Sequence, residues 1–307
     1  MFDEFWKATA GKLADRWAGL AAPAVVFWAG AVISWAYAGP GWTRLVQITD
    51  WLNRQQLVAQ LAALIGALVV GAASTILVQR LTTPALRLLE GYWPRCMSRL
   101  TEYRRGHALR GKINDGKNWQ RLHGEIAEGE PAAAQLAEIA RLERRRRHRP
   151  VRDSELLPTR IGNILRAAET RPRHRFGLDV VLIWPRVWIL LPETVRQELA
   201  SARASLDASV AVAIWGTLFI VFVPLTWWAL LGLVVPVSAV VWWVPARAEV
   251  FADLVEATVE LYRVTLYRQL RWPLPENPAA ERGDGERLTK YLERGSDRPD
   301  PEFTPPD

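Results

Sequence analysis

The sequence predicts an all-α polytopic membrane protein with four transmembrane helices and a helical, basic cytoplasmic domain. Three long runs without a charged residue, at 18–43, 55–79 and 208–246, indicate the membrane part. The segment between the last two runs holds 25 of the 39 Lys and Arg residues and indicates the domain. Two such unlike populations exclude a single soluble globule, a disordered chain and a collagen-like fibre.

The four spans follow from the lengths of these runs, because a helix needs roughly 20 apolar residues to cross the hydrocarbon core. Residues 20–38 and 57–78 each predict one span. The third run predicts a tight hairpin with arms at 209–230 and 233–246, although a re-entrant hairpin that never crosses fits the same composition. An A-x-A site at 36–38 also allows a cleaved signal peptide in place of the first span.

Lys and Arg residues are distributed unequally between the two ends of the spans. Eleven lie near the span ends on the side that holds the termini and the central region. On the other side only two, Arg44 and Arg54, lie between the first two spans. Cytoplasmic flanks carry the excess of basic residues in membrane proteins. We therefore expect a multi-pass protein of the inner (plasma) membrane with both termini in the cytoplasm.

Composition divides the chain into five segments. They are an N-terminal transmembrane helix pair (1–80), a basic helical cytoplasmic region (81–208), a transmembrane hairpin (209–246), an amphipathic cytoplasmic helix (247–275) and a disordered, acidic, Pro-rich tail (276–307). Within the basic region, five glycines over 106–129 predict a loop. Residues 131–149 predict a helix, and the apolar stretch 176–191 predicts an interfacial or protein-buried hairpin divided at Pro185.

An arginine cluster at the end of the helix predicted over 131–149 is the strongest electrostatic feature. The members assigned to anion or lipid binding are Arg144, Arg145, Arg146, Arg147 and Arg149. Anionic headgroups are the expected partner, because each cation near a membrane surface contributes about 1 kcal/mol. An acidic stripe on the helix predicted over 247–270 is an alternative partner. Nucleic acid is disfavoured, because no aromatic residue interrupts the arginine run for base stacking.

A second candidate site lies at the start of a short helix for which Thr159 is the predicted N-cap. Together with Arg160, Asn163 and Arg166, Thr159 offers side-chain donors beside free helix N–H groups. Such a set suits a phosphate or a carboxylate. A polar network that fixes this helix to the rest of the cytoplasmic part is the alternative explanation of the same residues, and the sequence favours it.

Small residues recur every four positions along the second predicted span. They are Ala59, Ala63, Ala67, Gly71 and Thr75. Small residues on one face let helices approach closely in lipid. The stripe predicts either packing of the first two spans within the chain or a self-association face that makes a homo-oligomer.

Three motifs in the C-terminal half resemble an uncharacterised family of bacterial polytopic integral membrane proteins. They are PTRIGNILRAAE at 158–169, WPR at 184–186 followed by LLPE at 190–193, and WPLP at 272–275. The resemblance implies a bacterial membrane location and the hairpin architecture, and it carries no activity.

Motifs for catalysis, cofactors and metals are not found in the sequence. It contains no phosphate-binding loop, no H-E-x-x-H and no G-x-S-x-G. Its four histidines have no ligand-like spacing, and the predicted spans contain no ionisable residue for a coupled transporter. We expect a non-enzymatic membrane-anchored scaffold or sensor without cofactor or metal. The alternative is an oligomeric ion channel of bestrophin-like architecture, and a membrane enzyme comes third.

Overall fold

The structure is a computed structural model whose described residues form helices, with no strand among them. The described residues are 23–39, 41–127, 132–295 and 300–305. The all-α class predicted from the sequence is confirmed for this part of the chain. The start of the first predicted span, the basic residues ahead of it, the signal-peptide n-region and Pro131 lie outside the described residues.

Helices follow one another with short connections along most of the chain. In order they are α1 Pro23–Tyr37, α2 Trp42–Asn53, α3 Leu57–Glu90, α4 Ser98–Ala127, α5 Ala133–Arg147, α6 Arg160–Phe176, α7 Val180–Leu190, α8 Glu193–Leu218, α9 Val234–Ser238, α10 Val244–Gln269 and α11 Pro278–Arg294.

Two compact units are present, and each takes its residues from two separate parts of the chain. The apolar unit draws on Met1–Leu86 and Asp207–Val244. The polar unit draws on Arg87–Leu206 and Pro245–Asp307. The division follows the sequence composition, since the charged central region separates the second apolar run from the third.

Three helical stretches are long and apolar enough to cross a membrane. They lie within Leu57–Ala127, Glu193–Phe222 and Ala229–Gln269. Helix α1 is apolar but shorter in its described part. Side chains along α3 stay exposed, Leu64 by 58%, and such a continuous apolar surface suits lipid rather than water. Among the described residues, which leave out the start of the first predicted span, three helical stretches therefore have the length and composition that a membrane span needs, where the sequence predicts four.

The third apolar run reverses direction earlier than predicted. Two 3₁₀ helices, Phe219–Phe222 and Trp227–Leu233, flank the turn. Pro224 lies between them, and its missing N–H and its ring prevent the first arm from continuing as a helix. A Cβ on Gly232 would lie 2.7 Å from the Phe219 ring. Gly232 therefore packs within the second arm, and the prediction that it forms the tip of the hairpin is wrong.

Aromatic side chains of the apolar unit contact one another around the small buried cluster of Ala24, Val78 and Trp215. The Phe27 ring lies 4.9 Å from that of Trp215 and 5.4 Å from that of Phe222, between centroids. The indole N–H of Trp28 donates to the Ser74 hydroxyl over 3.1 Å. These contacts connect α1 with α3 and with the end of α8.

Helix α4 occupies most of the stretch for which the sequence predicts a loop, 106–129. Its Trp119 and Leu122 pack against Ile139 and Leu142 of α5. Each glycine in a helix costs about 1 kcal/mol relative to alanine. Burial of one face of α4 against α5 offsets this cost. Helix propensities of single residues do not reveal such a contact.

Helix α7 is continuous where Pro185 was expected to divide a hairpin over 176–191. The Asp179 carboxylate caps its first turn by accepting from two backbone N–H groups. Ile183 and Val187 are fully buried on one face. Because that face packs on the rest of the polar unit, the helix tolerates the one backbone hydrogen bond that proline removes.

Helix α11 lies within the tail that the sequence predicts to be disordered, 276–307. Asn277 caps the helix, and Leu288 is fully buried. Gly285 lies against the backbone carbonyl of Phe176, where a Cβ would overlap it. The helix packs on α6 and α7 through this close approach, so the prediction of disorder is wrong for this part of the tail.

Candidate functional site

Helix α10 presents a stripe of carboxylates to α5 and α6. Its members are Glu249, Asp253, Glu256 and Glu260. Steps of three and four residues place side chains on one face of a helix. All four carboxylates lie near arginine side chains of the polar unit.

The end of α5 is attached to this stripe by two members of the arginine cluster and by a histidine. Arg144 Nε lies 3.6 Å from a Glu249 carboxylate oxygen, and Arg147 Nε lies 3.5 Å from Asp253 Oδ1. His148 Nε2 lies 3.1 Å from the same Asp253 oxygen, and its side chain is buried. The two arginines are more than half exposed, so each pair contributes at most about 1 kcal/mol.

Two further members of the arginine cluster pair with Asp115 of α4. Arg145 Nη1 lies 3.7 Å and Arg149 Nη1 lies 2.9 Å from its carboxylate oxygens. The Asp115 side chain is only 12% exposed, and a buried carboxylate is costly unless cations pair with it. The remaining member, Arg146, lies over the Trp119 ring at 4.5 Å from its centroid.

The five arginines assigned to lipid binding, four at the end of α5 and Arg149 just after it, therefore all have a partner within the chain. Four contact carboxylates of α4 and α10, and one contacts an indole. The sequence analysis gives an acidic stripe within the chain as the alternative to lipid for this cluster. Internal pairing of this kind is what that alternative predicts. An external anion at the cluster must compete with these partners.

Helix α6 pairs with the same stripe through its own arginines. Arg160 Nη2 lies 2.8 Å from Glu249 Oε1. Arg171 Nε and Arg175 Nη1 lie 3.6 Å and 3.5 Å from Glu256 Oε1. Burial lowers the pKa of Arg171, while the Glu256 carboxylate opposes the shift. Glu249 and Glu256 thus join α10 to elements that are far apart in the sequence.

The polar residues at the start of α6 serve its own backbone. Thr159 Oγ1 accepts a hydrogen bond from the Gly162 N–H over 3.0 Å, so Thr159 is the N-cap. Asn163 Nδ2 donates to the carbonyls of Leu157 and Thr159, and Asn163 Oδ1 accepts from the Leu157 N–H. The Asn163 side chain is buried, and these bonds use most of its capacity.

The other two donors predicted at this site also have partners. Arg160 contacts the stripe, and Arg166 Nη1 donates to Glu169 Oε2 over 3.1 Å. Gly162 faces the carbonyl group of Glu90, whose carbon would lie 2.8 Å from a Cβ at that position. These contacts form a polar network that holds α6 in place. Such a network is the alternative to an anion site that the sequence analysis gives for these residues.

A half-buried histidine–carboxylate pair connects α6 with the segment before it. His174 Nε2 lies 3.0 Å from both carboxylate oxygens of Glu155. Burial alone would raise the pKa of Glu155, but the hydrogen bond and charge of His174, together with hydrogen bonds from Thr170 and the Arg152 backbone, lower it. Sequence spacing did not reveal this pair, because neither residue belongs to a motif.

Most of the small-residue stripe on α3 is exposed among the described residues. Its members are Ala59, Ala63, Ala67, Gly71 and Thr75. The three alanines are exposed, and a Cβ on Gly71 would have no neighbour within 4 Å. Helix α1 contacts α3 at Ser74, next to Thr75, through the indole N–H of Trp28. Self-association through the stripe stays a prediction.

A groove of about 1110 Å³ lies beside α4, α5 and the loop that follows α5. Its lining is rich in basic side chains, but these have partners: Lys112 Nζ lies 2.7 Å from Asp153 Oδ1 and donates to two backbone carbonyls. No group of three or more metal-ligating side chains occurs within the described ranges. In the groove, as along the stripe, basic side chains are therefore paired with acceptors of the chain itself.

Comparisons with models of protein families, with curated proteins and with solved structures find no match for the chain. The motif-based resemblance to a bacterial membrane family stays a prediction.

Proposed function

We propose that the protein is a non-enzymatic, membrane-anchored scaffold or sensor of a bacterial inner membrane, whose basic helical domain contacts anionic lipid. In this proposal the polar unit and both termini lie in the cytoplasm. Three apolar helical stretches support the anchoring. The eleven-to-two distribution of basic residues supports the orientation.

The carboxylate stripe of α10 is the observation that carries the scaffold assignment. Glu249 contacts arginines of both α5 and α6, and Glu256 contacts two arginines of α6. A scaffold needs helices in a fixed arrangement, and these contacts help to provide it.

Cysteine accessibility in intact cells tests the anchoring and the orientation. On a Cys96→Ser background, Gln47→Cys in α2 and Leu225→Cys in the revised hairpin turn should react with an impermeant reagent. Asn118→Cys in α4 should react only after the cells are opened. All three positions are exposed, so access depends on the membrane rather than on burial.

Alkaline extraction of membranes provides the control. An anchored protein should stay in the pellet. Release into the supernatant would contradict the anchoring, and labelling of Asn118→Cys in intact cells would contradict the orientation.

An oligomeric ion channel is the second candidate function. The exposure of Ala59, Ala63 and Ala67 favours it, because a free stripe of small residues permits close contact with another copy. A ring of subunits in mild detergent, together with ion flux in reconstituted liposomes, would support the channel over the scaffold.

A further inference from the structure

Helix α4 has two faces of different character. Its inner face carries Asp115, which pairs with Arg145 of α5, and Trp119 and Leu122, which pack against α5. With about 100° of rotation per residue, Lys117 is turned roughly 160° away from both Asp115 and Trp119. The side of α4 opposite to α5 is therefore a separate surface.

This outer face of α4 carries cations without a carboxylate partner. Arg99, Arg110 and Lys117 recur at steps of 11 and 7 residues, which return to the same side of a helix. All three are exposed, and none makes an ion pair within the part of the chain that the structure describes. They differ in this from the cluster on α5, whose cations have internal partners.

Apolar side chains lie between these cations. Tyr103 is 65% exposed and Ile113 is 48% exposed, and both lie within about 40° of the line through Arg99 and Lys117. A helix face that combines cations with exposed aromatic and aliphatic side chains is typical of helices that lie in a membrane interface.

The sequence also places this face soon after a candidate membrane span. Arg80, Arg87 and Arg95 follow the apolar run of α3, and Arg99 opens the outer face of α4. Basic residues directly after a transmembrane helix attract anionic headgroups. The order along the chain and the exposed charge thus favour the same partner.

We infer that the outer face of α4, formed by Arg99, Tyr103, Arg110, Ile113 and Lys117, docks on the anionic lipid headgroups of the membrane that holds the protein. This inference rests on the proposed function and relocates its lipid contact from α5 to α4. The cations bind headgroup phosphates, and Tyr103 and Ile113 insert at the level of the headgroups.

Quenching of a probe on α4 by spin-labelled lipid tests the docking. The full chain, with Cys96→Ser and Ile113→Cys carrying a fluorophore, is placed in nanodiscs of phosphatidylcholine with or without phosphatidylglycerol. We expect quenching only in discs with phosphatidylglycerol, and its loss at high salt. Leu136→Cys on α5 is the matched control, because Leu136 is 50% exposed but lies on another helix.

Two charge-matched variants locate the binding cations. The first, Arg99→Gln with Arg110→Gln and Lys117→Gln, should weaken the association on the order of a hundredfold and return the quenching to the level of the zwitterionic discs. The second, Arg141→Gln with Arg144→Gln and Arg147→Gln, removes the same charge from α5 and should retain the quenching. Circular dichroism checks that both variants remain helical.

Several results would overturn the inference. They are equal quenching at both probe positions, quenching without anionic lipid, loss of quenching only in the α5 variant, and a probe that responds to an added RNA oligonucleotide instead of lipid. Release of the protein by alkaline extraction would instead contradict the proposed function. The two failures are therefore distinguishable.

Discussion

Substitution of Gly162 by alanine is the most direct test of how α6 is held in the polar unit. A Cβ at this position would overlap the carbonyl oxygen of Glu90 and lie 2.8 Å from its carbon. It would also lie 2.9 Å from the Thr159 hydroxyl that caps the helix. The obstacle is mainly backbone, which cannot rotate away as a flexible side chain can.

The expected magnitude combines two opposing effects. Overpacking of a buried contact costs about 1–3 kcal/mol, and a backbone clash lies at the upper end of that range. Alanine is better than glycine in a helix by up to about 1 kcal/mol. We therefore expect Gly162→Ala to lower the free energy of unfolding of the polar unit by about 2 kcal/mol. For a domain of roughly 150–250 residues this corresponds to a Tm about 4–8 °C lower.

Gly116→Ala in α4 is the matched control. A Cβ on Gly116 would have no neighbour within 4 Å, so only the helix propensity changes. We expect this variant to be more stable by about 0.5–1 kcal/mol. Thermal unfolding in mild detergent gives both Tm values, and hydrogen exchange of α6 amides assigns the loss to that helix.

A stabilised Gly162→Ala variant would refute the reasoning. Equal stabilisation of both variants would mean that α6 does not approach the end of α3 as closely as the structure places it. Loss of stability in Gly116→Ala would mean that the glycines of α4 have a packing role that the structure does not contain.

Two further predictions concern the histidine–carboxylate pair and the stripe on α3. Because the pKa of Glu155 is lowered from 4.5, its contribution is present above that pH and is lost as the pH falls through the folded value. Hydrogen exchange of α6 over a pH series should therefore show falling stability below about pH 4.5, with a smaller dependence in His174→Gln; equal dependence in both proteins would contradict the pairing. Ala67→Leu should leave protomer stability within about 0.5 kcal/mol of the wild type, because Ala67 is exposed. A large loss of protomer stability in detergent would show that the stripe packs within the chain.

The sequence was informative where a pattern is local. Apolar runs, the N-cap at Thr159 and the spacing of Glu249, Asp253 and Glu256 depend on residues within a few turns of one another. The structure contains apolar helices at three of the predicted spans, the cap and the stripe. Local steric and hydrogen-bonding rules suffice for such features.

Helices α4 and α11 show where local rules fail. Their glycines and charges favour loop or disorder in isolation, yet Leu122 and Leu288 are buried against other helices. Burial of a large aliphatic side chain contributes about 1.5–3 kcal/mol, which outweighs one or two unfavourable residues. A partner surface on another helix is not visible in a propensity pattern.

The sequence by itself determined which parts of the chain are apolar, which are basic and how the two alternate. Only the tertiary structure decided which charges remain free. Asp253 lies more than 100 positions after Arg147 and His148, and it pairs with both of them in the cluster that the sequence presents as the strongest electrostatic feature. On α4, by contrast, Arg99 and Lys117 keep their charge unpaired within the described residues. Coulomb energy depends on distance in space, so the pairing of charges is settled by packing and not by position along the chain.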